Sequence, residues 1–333
     1  MKKLIGLLVS LSLLTGVLAG CAGTPAGSGA ATTTEANVET GAAAAPWPRT
    51  IKDALGQQLT LEKNPERVAI LDFGFMESML ALGIPPIAST YAERSLNGFG
   101  TLQPYAVSVQ IEELGEVKAL NLEKLVELKP DLILYTAEPE NLDMKLYERA
   151  SQIAPVVTFN SPDWKEQLKD FAECLGEEKK AAAYIADIEA LIAESRSKLA
   201  GYSDKTVALV FESSGNKGSF VITGSAENPV WFDKENGLGL RPPDGYPGKG
   251  EVVSLEGIAA MNPDYIFLFG ALGSEADGYK QRYLSGETQV SSVWQSLTAV
   301  KNGHVYQLDA AVRAAGPLSI KLGIETIVKS MTK

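Results

Sequence analysis

A helix–turn–strand phrase occurs twice in this chain, 133 residues apart, and it limits the fold more than any other feature. Asn121-Leu-Glu-Lys-Leu-Val-Glu-Leu-Lys-Pro-Asp-Leu-Ile-Leu-Tyr135 is echoed by Ser254-Leu-Glu-Gly-Ile-Ala-Ala-Met-Asn-Pro-Asp-Tyr-Ile-Phe-Leu268. Leu122/Leu255, Glu123/Glu256, Pro130/Pro263, Asp131/Asp264 and Ile133/Ile266 are identical, and Asn121/Ser254 and Leu125/Ile258 are near matches. Each copy obeys the same physics. Asn or Ser caps a helix, and Glu sits in the first turn, where the macrodipole favours negative charge. Leu125/Ile258 and Leu128/Met261 bury one face, Pro stops the helix, and an apolar run continues as a strand. The period far exceeds the 20–50 residues of solenoid repeats, so the phrase predicts two similar lobes.

The amino terminus reads as a targeting segment. Lys2-Lys3 precede an apolar run, Leu4–Leu14, too short to span a bilayer, and Leu18-Ala19-Gly20-Cys21 has the form of a bacterial lipobox. Residues 1–20 are therefore expected to be a signal peptide, with Cys21 carrying a diacylglyceryl anchor. Residues 21–48 are rich in Ala, Gly and Thr and cannot bury a core. They form a tether with a reach on the order of 30 Å, which suits a protein held on the outer face of a Gram-positive cell membrane.

Removing Lys2 and Lys3 leaves 28 basic against 41 acidic residues, a formal charge of −13. No basic stripe or nucleic-acid motif is present, which excludes nucleic acid as a partner. With Cys21 lipidated, Cys174 is the only remaining cysteine and no disulfide framework exists. Its place in an amphipathic helix makes it a small buried apolar residue.

Strands alternating with helical segments predict an α/β fold of two lobes, each a mainly parallel sheet flanked by helices. The N-terminal lobe covers 49–176 and the C-terminal lobe 201–333. A hairpin is expected over Ile51–Leu61, strands at Val68–Asp72 and Ile84–Thr90, and a helix at Phe75–Leu82. In the second lobe a short helix is expected at Trp231–Leu238. Between the lobes, residues 177–200 contain apolar groups at helical spacing with no Gly or Pro. That is one interlobe helix, about 36 Å long at 1.5 Å per residue. A single helical crossing predicts limited hinge motion.

Catalysis has little to stand on. The chain holds one histidine, no Gly-x-Ser-x-Gly and no P-loop. His304 follows a turn and reads as a strand-start residue, and one imidazole excludes a metal receptor built on several. The predicted reading is a binding protein, not an enzyme. In open α/β lobes, ligands sit beyond the carboxyl ends of the strands. The loops expected there supply aromatic faces at Phe73, Tyr91, Trp164 and Tyr246, and guanidinium groups at Arg94, Arg241, Arg282 and Arg313 for anionic oxygens. Glu123 and Glu256 occur once per lobe at equivalent helix starts, which predicts two matched acidic knobs near the rim of the interlobe cleft.

Arg67-Val-Ala-Ile-Leu, Ala81-Leu-Gly-Ile-Pro, Leu114-Gly-Glu, the two echoes, Asn302-Gly-His-Val-Tyr and Gly316-Pro-Leu-Ser together carry a family resemblance. From about 67 to 333 the chain resembles the cobalamin and ferric-siderophore group of ABC-transporter substrate-binding lipoproteins. The resemblance implies two α/β lobes joined by one long helix, a shallow cleft and small closure. It implies docking of Glu123 and Glu256 onto arginines of an ABC permease dimer, which works with its ATPase. It also implies a monomer. Many siderophore receptors of this group have an aromatic near the position of Val312-Arg313. An Arg there instead favours an anionic ferric chelate, of hydroxamate, citrate or catecholate type, over cobalamin or haem. The chelator would saturate the iron, leaving no cofactor and no metal ligand to the protein. A surface enzyme working through cleft carboxylates and a structural adhesin are the alternatives from other classes.

Overall fold

The structure is a computed structural model that describes residues 46–213 and 218–333. The targeting segment, Cys21 and tether residues 22–45 lie outside the described residues. An antiparallel hairpin, β1 (Arg49–Lys52) and β2 (Gln58–Leu61), opens the N-terminal lobe. Gly56 takes the turn's left-handed backbone at φ +78°. Then come β3 (Val68–Ile70), β4 (Ala88–Ser89), β5 (Glu112–Glu113), β6 (Leu132–Thr136) and β7 (Val156–Phe159). They pair in parallel in the order β5-β4-β3-β6-β7. The helices between and after them are α1 (Met76–Ala81), α2 (Ala92–Gly98), α3 (Leu122–Leu128), α4 (Met144–Ala150) and α5 (Trp164–Leu175). The strand expected over 84–90 is reduced to Ala88–Ser89, because Pro85 and Pro86 have no N–H for the ladder.

α6 (Glu178–Leu199) runs unbroken from this lobe to the next. Second-lobe strands are β8 (Val207–Glu212), β9 (Ser219–Ile222), β10 (Glu251–Ser254), β11 (Tyr265–Phe269), β12 (Ala271–Leu272), β13 (Gln281–Arg282) and β14 (Val305–Leu308). Its helices are α7 (Pro229–Phe232), α8 (Leu255–Met261), α9 (Gly286–Val290), α10 (Ser292–Ser296), α11 (Thr298–Lys301) and α12 (Pro317–Met331). The helix expected at 231–238 is the single turn α7, begun by Pro229, whose fixed φ suits a first helical position. The second sheet has the order β10-β9-β8-β11-β14, with β9 antiparallel to both neighbours. Among the described residues, strand β12 pairs only with β13. In both large sheets the sheet's own first strand is central, its next two strands lie to one side and its last two to the other.

The repeated phrase builds equivalent parts of the two lobes. Asn121 Oδ1 accepts from Lys124 N at 2.9 Å and Ser254 Oγ from Gly257 N at 3.1 Å. Each helix closes on a left-handed residue, Lys129 (φ 48°) or Asn262 (φ 40°). The shared Asp then ties the phrase to the start of the lobe's central strand. Asp131 accepts from Glu66 N and Arg67 N at 2.8 and 2.9 Å. Asp264 Oδ2 accepts from Thr206 N and Thr206 Oγ1 at 2.8 and 2.9 Å. Along β6 and β11 alternate side chains enter opposite cores, as the two-residue period of a strand demands. Leu132, Leu134, Tyr265 and Phe267 face one apolar layer; Ile133 and Tyr135, and separately Ile266 and Leu268, face a core private to each lobe.

The first of these layers is common to both lobes. It holds Phe75 and Phe171 from the first, Trp231 and Leu308 from the second, and Ile185, Ile188 and Ile192 of α6. Helix α12 packs along α6 and reaches α1 and α5, so it is a second element crossing the lobe boundary. Where α12 begins, the buried Glu77 of α1 accepts from Ser319 N at 2.8 Å and from Thr101 Oγ1 at 2.6 Å. A Cβ on Gly316 would stand 2.4 Å from Glu77 Oε2, which explains glycine in Gly316-Pro-Leu-Ser. Cys174 is fully buried in the same layer, and burial pushes its thiol pKa up. His304 stacks on Tyr265 with ring centroids 4.3 Å apart and places Nδ1 3.2 Å from Asp264 O, a strand-start role.

Two predictions follow from these contacts. Asp131→Ala or Asp264→Ala removes charge-assisted bonds to a central strand and should cost about 1–3 kcal/mol in urea unfolding; a loss under about 0.5 kcal/mol would contradict the role given to these carboxylates. For Glu77, burial raises the carboxyl pKa, opposed by the bonds from Thr101 and Ser319. The native state thus keeps a proton that the unfolded chain has released. Glu77's contribution to stability is greatest below the ordinary carboxyl range and declines as pH rises through the elevated native value. Urea melts across that window should show a downward slope in the wild type that Glu77→Gln flattens; parallel slopes would reject the assignment.

Candidate functional site

The strand order reverses at β3 in one lobe and at β8 in the other, and the carboxyl ends of these strands frame two cavities. In the N-terminal lobe, Leu71, Asp72 and Phe73 after β3, Tyr91 after β4, Lys118 after β5 and Thr136 at the end of β6 line a cavity of about 580 Å³. Glu116, Glu140, Asn141 and Asp143 complete its polar wall. Tyr91 has φ +49°, a left-handed backbone that costs a non-glycine residue roughly 1–2 kcal/mol. Its N–H donates to Gly115 O at 3.1 Å and its carbonyl accepts from Ser95 N at 2.9 Å. Those bonds hold its ring edge-on to Phe73 at 5.6 Å between centroids, with the Arg94 guanidinium 5.7 Å from the Tyr91 ring. Phe99 stacks on the other side of Phe73 at 6.4 Å. Asp72 Oδ1 accepts from Gly74 N at 2.9 Å. Burial pushes the Asp72 pKa up, the bond from Gly74 opposes this, and the charge of Glu138 adds to the rise.

In the C-terminal lobe, Glu212, Ser213, Ala271–Ser274 and Arg282–Ser285 line a cavity of about 350 Å³. Glu212 is consumed by structure: it accepts from Ser285 N, from Ser285 Oγ at 2.9 Å and from Thr288 Oγ1. Burial raises its pKa, but these bonds outweigh it and the carboxyl stays below its ordinary range. Arg282 pairs with Asp277 at 2.6 Å. Arg313 lies in the 3-10 turn Ala310–Ala314, its guanidinium 3.9 Å from the centroid of the Phe211 ring. It is exposed and has no ion pair among the described residues.

The two mouths meet along one seam. Gln281 Nε2 donates to Gly98 O at 2.8 Å and to Asp309 Oδ2 at 2.7 Å, and Asp309 Oδ2 also accepts from Gly100 N at 3.0 Å. Gln281 Oε1 accepts from Ala310 N at 2.9 Å. A Cβ on Gly98 would come within 2.9 Å of Leu272, so glycine lets α2 approach the β12–β13 hairpin.

Of the ligand residues expected from the sequence, Phe73, Tyr91, Arg94, Arg282 and Arg313 stand at these strand ends, and three do not. Trp164 opens α5, whose N-cap is Asp163, and is only 6% exposed, packed in the shared core. Arg241 sits at the opposite end of the second sheet. Its carbonyl accepts from Val207 N at the start of β8 and its guanidinium donates to Asp204 O at 3.3 Å. The Tyr246 hydroxyl accepts from Leu209 N and donates to Leu209 O, both at 3.2 Å, within β8, and its ring packs on Phe232. Burial raises its pKa. Asp72, Lys118, Glu140, Asn141 and Gln281 were not singled out. Asp72 was legible as the residue that ends the run Val68-Ala-Ile-Leu. Glu140 and Asn141 stand on a loop, Lys118 in the 3-10 turn Val117–Ala119 and Gln281 in the two-residue strand β13, all too short for a periodic signal.

Glu123 and Glu256 are both exposed in the first turns of α3 and α8. Those helices follow β5 and β10, the corresponding edge strands of the two sheets. Strand β10 is antiparallel to β9, itself antiparallel to β8. It therefore points the same way as β8, and α8 starts at the cleft end of its sheet, as α3 does.

Comparison with known proteins agrees with this geometry. The family model described as periplasmic binding protein matches residues 75–312. A probable siderophore-binding lipoprotein, YfiY, of Bacillus subtilis is 28% identical over 273 residues, 79% of this chain and 81% of that protein. The iron(3+)-hydroxamate-binding protein FhuD of the same organism is 28% identical over 294 residues, covering 82% and 83%. Among solved structures, a FhuD fold-family component of a ferrichrome ABC transporter from Bacillus subtilis superposes with a TM-score of 0.63 at 27% identity, covering 81% of this chain and 98% of that one. The chain belongs to the periplasmic binding protein family, whose members are substrate-binding components of transport systems and not enzymes.

Proposed function

We propose that this protein is the extracytoplasmic substrate-binding component of an ABC importer and that it captures a ferric siderophore. The observation that carries the reading is the cleft itself, with Arg313, which has no ion pair among the described residues, on an aromatic face at one mouth and the Phe73–Tyr91 pair at the other. A guanidinium without a carboxylate partner is suited to anionic oxygens, and the aromatic faces to the apolar body of a chelate. The siderophore and iron(3+)-hydroxamate binding named for its relatives point the same way. On this reading the ligand is an anionic hydroxamate, citrate or catecholate complex, and iron stays with its chelator as cargo. Cys21 anchors the protein by lipid to the outer face of a Gram-positive cell membrane. The shared core limits closure, so recognition uses surfaces that are largely formed beforehand.

Glu123 and Glu256 would dock onto a permease dimer. They are exposed, equivalent by the internal repeat, and set at the edge strands, away from the central strand ends that carry the ligand.

Fluorescence titration with a panel of ferric siderophores, cobalamin and haem tests the ligand. At least one ferric siderophore should bind tighter than about 10 μM, roughly −7 kcal/mol, and Arg313→Ala should weaken it about tenfold or more. Binding of cobalamin or haem alone would overturn the ligand reading. Docking is tested by radioiron uptake in cells carrying Glu123→Ala with Glu256→Ala. Uptake should be abolished while siderophore affinity holds within about twofold; undiminished uptake removes the docking role.

A further inference from the structure

The two mouths of the cleft differ in charge, and the difference narrows the ligand. Four carboxylic side chains, Asp72, Glu116, Glu140 and Asp143, line the N-terminal cavity against one base, Lys118. Asp143 is already used: its Oδ1 accepts from Lys145 N at 2.9 Å and Leu146 N at 3.3 Å. Glu116, Glu140 and Lys118 form no ion pair among the described residues. Asp72 is the residue that matters most. It follows the central strand by two residues, lines the same cavity as Phe73, Tyr91 and Thr136, and spends one oxygen on Gly74. Its second oxygen has no hydrogen bond or ion pair among the described residues. Desolvation with no cation to offset it disfavours the charged form, as its raised pKa records. A positive group entering the cavity would relieve that cost. Phe73 and Tyr91 line the same cavity, and aromatic faces attract cations.

We infer that the N-terminal half of the cleft binds a protonated amine carried by the ligand, with Asp72 as its counter-ion and Phe73 and Tyr91 flanking it. The inference rests on the ferric-chelate reading and deepens it. The substrate is a ferric chelate with two chemically distinct ends, anionic oxygens toward Arg313 and an alkylammonium arm toward Asp72. A cavity of about 580 Å³ has room for such an arm.

The test compares two ligands of identical iron coordination. One is the ferric complex of a linear trishydroxamate ending in a primary amine; the other is the same complex with that amine acetylated. Both are titrated by fluorescence quenching against the mature protein and against Asp72→Asn. Asparagine retains an oxygen for the Gly74 bond, so the local turn is preserved. The wild type should bind the amine form about tenfold or more tighter than the acetylated form. In Asp72→Asn the ratio of the two affinities should fall within about twofold of unity. The ratio is blind to a purely structural defect, which would weaken both ligands alike. Equal affinities in the wild type, or a preference that persists in Asp72→Asn, would overturn the ammonium site while leaving the siderophore reading intact. Failure of both complexes to bind also overturns it, and the broader panel then decides separately whether any ferric siderophore is the ligand.

Discussion

Both sheets bury one face in the same apolar layer, and the rest of the molecule depends on that sharing. Helix α6 alone would leave each lobe a separate body on a strut. Because α12 returns across α6 to reach α1 and α5, side chains from both lobes lie in one continuous core with α6. Rotating one lobe against the other would expose part of that core to water, at about 25 cal/mol for each Å² of apolar surface uncovered. Glu77 adds a polar register to this seam. Its carboxylate is seated on Gly316 and bonded to the first turn of α12, so α1 and α12 have one preferred alignment. A buried carboxylate contributes specificity of arrangement more readily than net stability, since its desolvation offsets much of what its bonds return.

A stiff seam shifts the work of recognition onto the cleft surfaces. At the mouths, the seam is continued by Gln281 and Asp309, whose side chains connect α2 to the β12–β13 hairpin and to the turn bearing Arg313. The ligand contacts proposed on either side are therefore mechanically connected through amide and carboxylate hydrogen bonds, with little slack. Such preorganisation lowers the ordering cost of binding. It also explains why a tyrosine is held at φ +49° beside the cavity: the surrounding bonds to Gly115 and Ser95 fix a geometry that its own backbone does not favour.

Much of this architecture was legible in the chain, and the reason is periodicity. The echo named the two lobes, its caps and its prolines placed α3 and α8 within a residue, and the apolar spacing of 177–200 located α6. What periodicity cannot reveal is direction. Trp164, Arg241 and Tyr246 were assigned to the cleft because they lie near predicted loops, yet each packs elsewhere. Trp164 packs into the shared core at the start of α5, Arg241 lies at the opposite end of the second sheet, and the Tyr246 hydroxyl bonds to the Leu209 backbone, whose carbonyl also accepts from Thr223 N. The crossing by α12 was equally hidden, since its apolar face does not reveal which lobe it will cover. Asp131 and Asp264 were visible as a match, but their role as ties to the central strands appeared only in three dimensions.

The contrast between what the lobes repeat and what they do not repeat separates two functions. By strand register, Val68 pairs with Leu132 and Val207 with Tyr265, so Asp72 in one lobe corresponds to Phe211 in the other, and Phe73 to Glu212. At these central strand ends the lobes have opposite chemistry: a desolvated acid beside aromatics on one side, an aromatic plate bearing an arginine with no ion pair among the described residues on the other. At the edge strands, the lobes keep the same residues, Leu122/Leu255 and Glu123/Glu256. A partner built from two equivalent subunits requires equivalent contacts, whereas a ligand with dissimilar ends requires dissimilar ones. On the proposed reading, the same twofold scaffold would present a symmetric face to a permease dimer and an asymmetric one to the ligand, the difference set by whether a residue follows an edge strand or a central one.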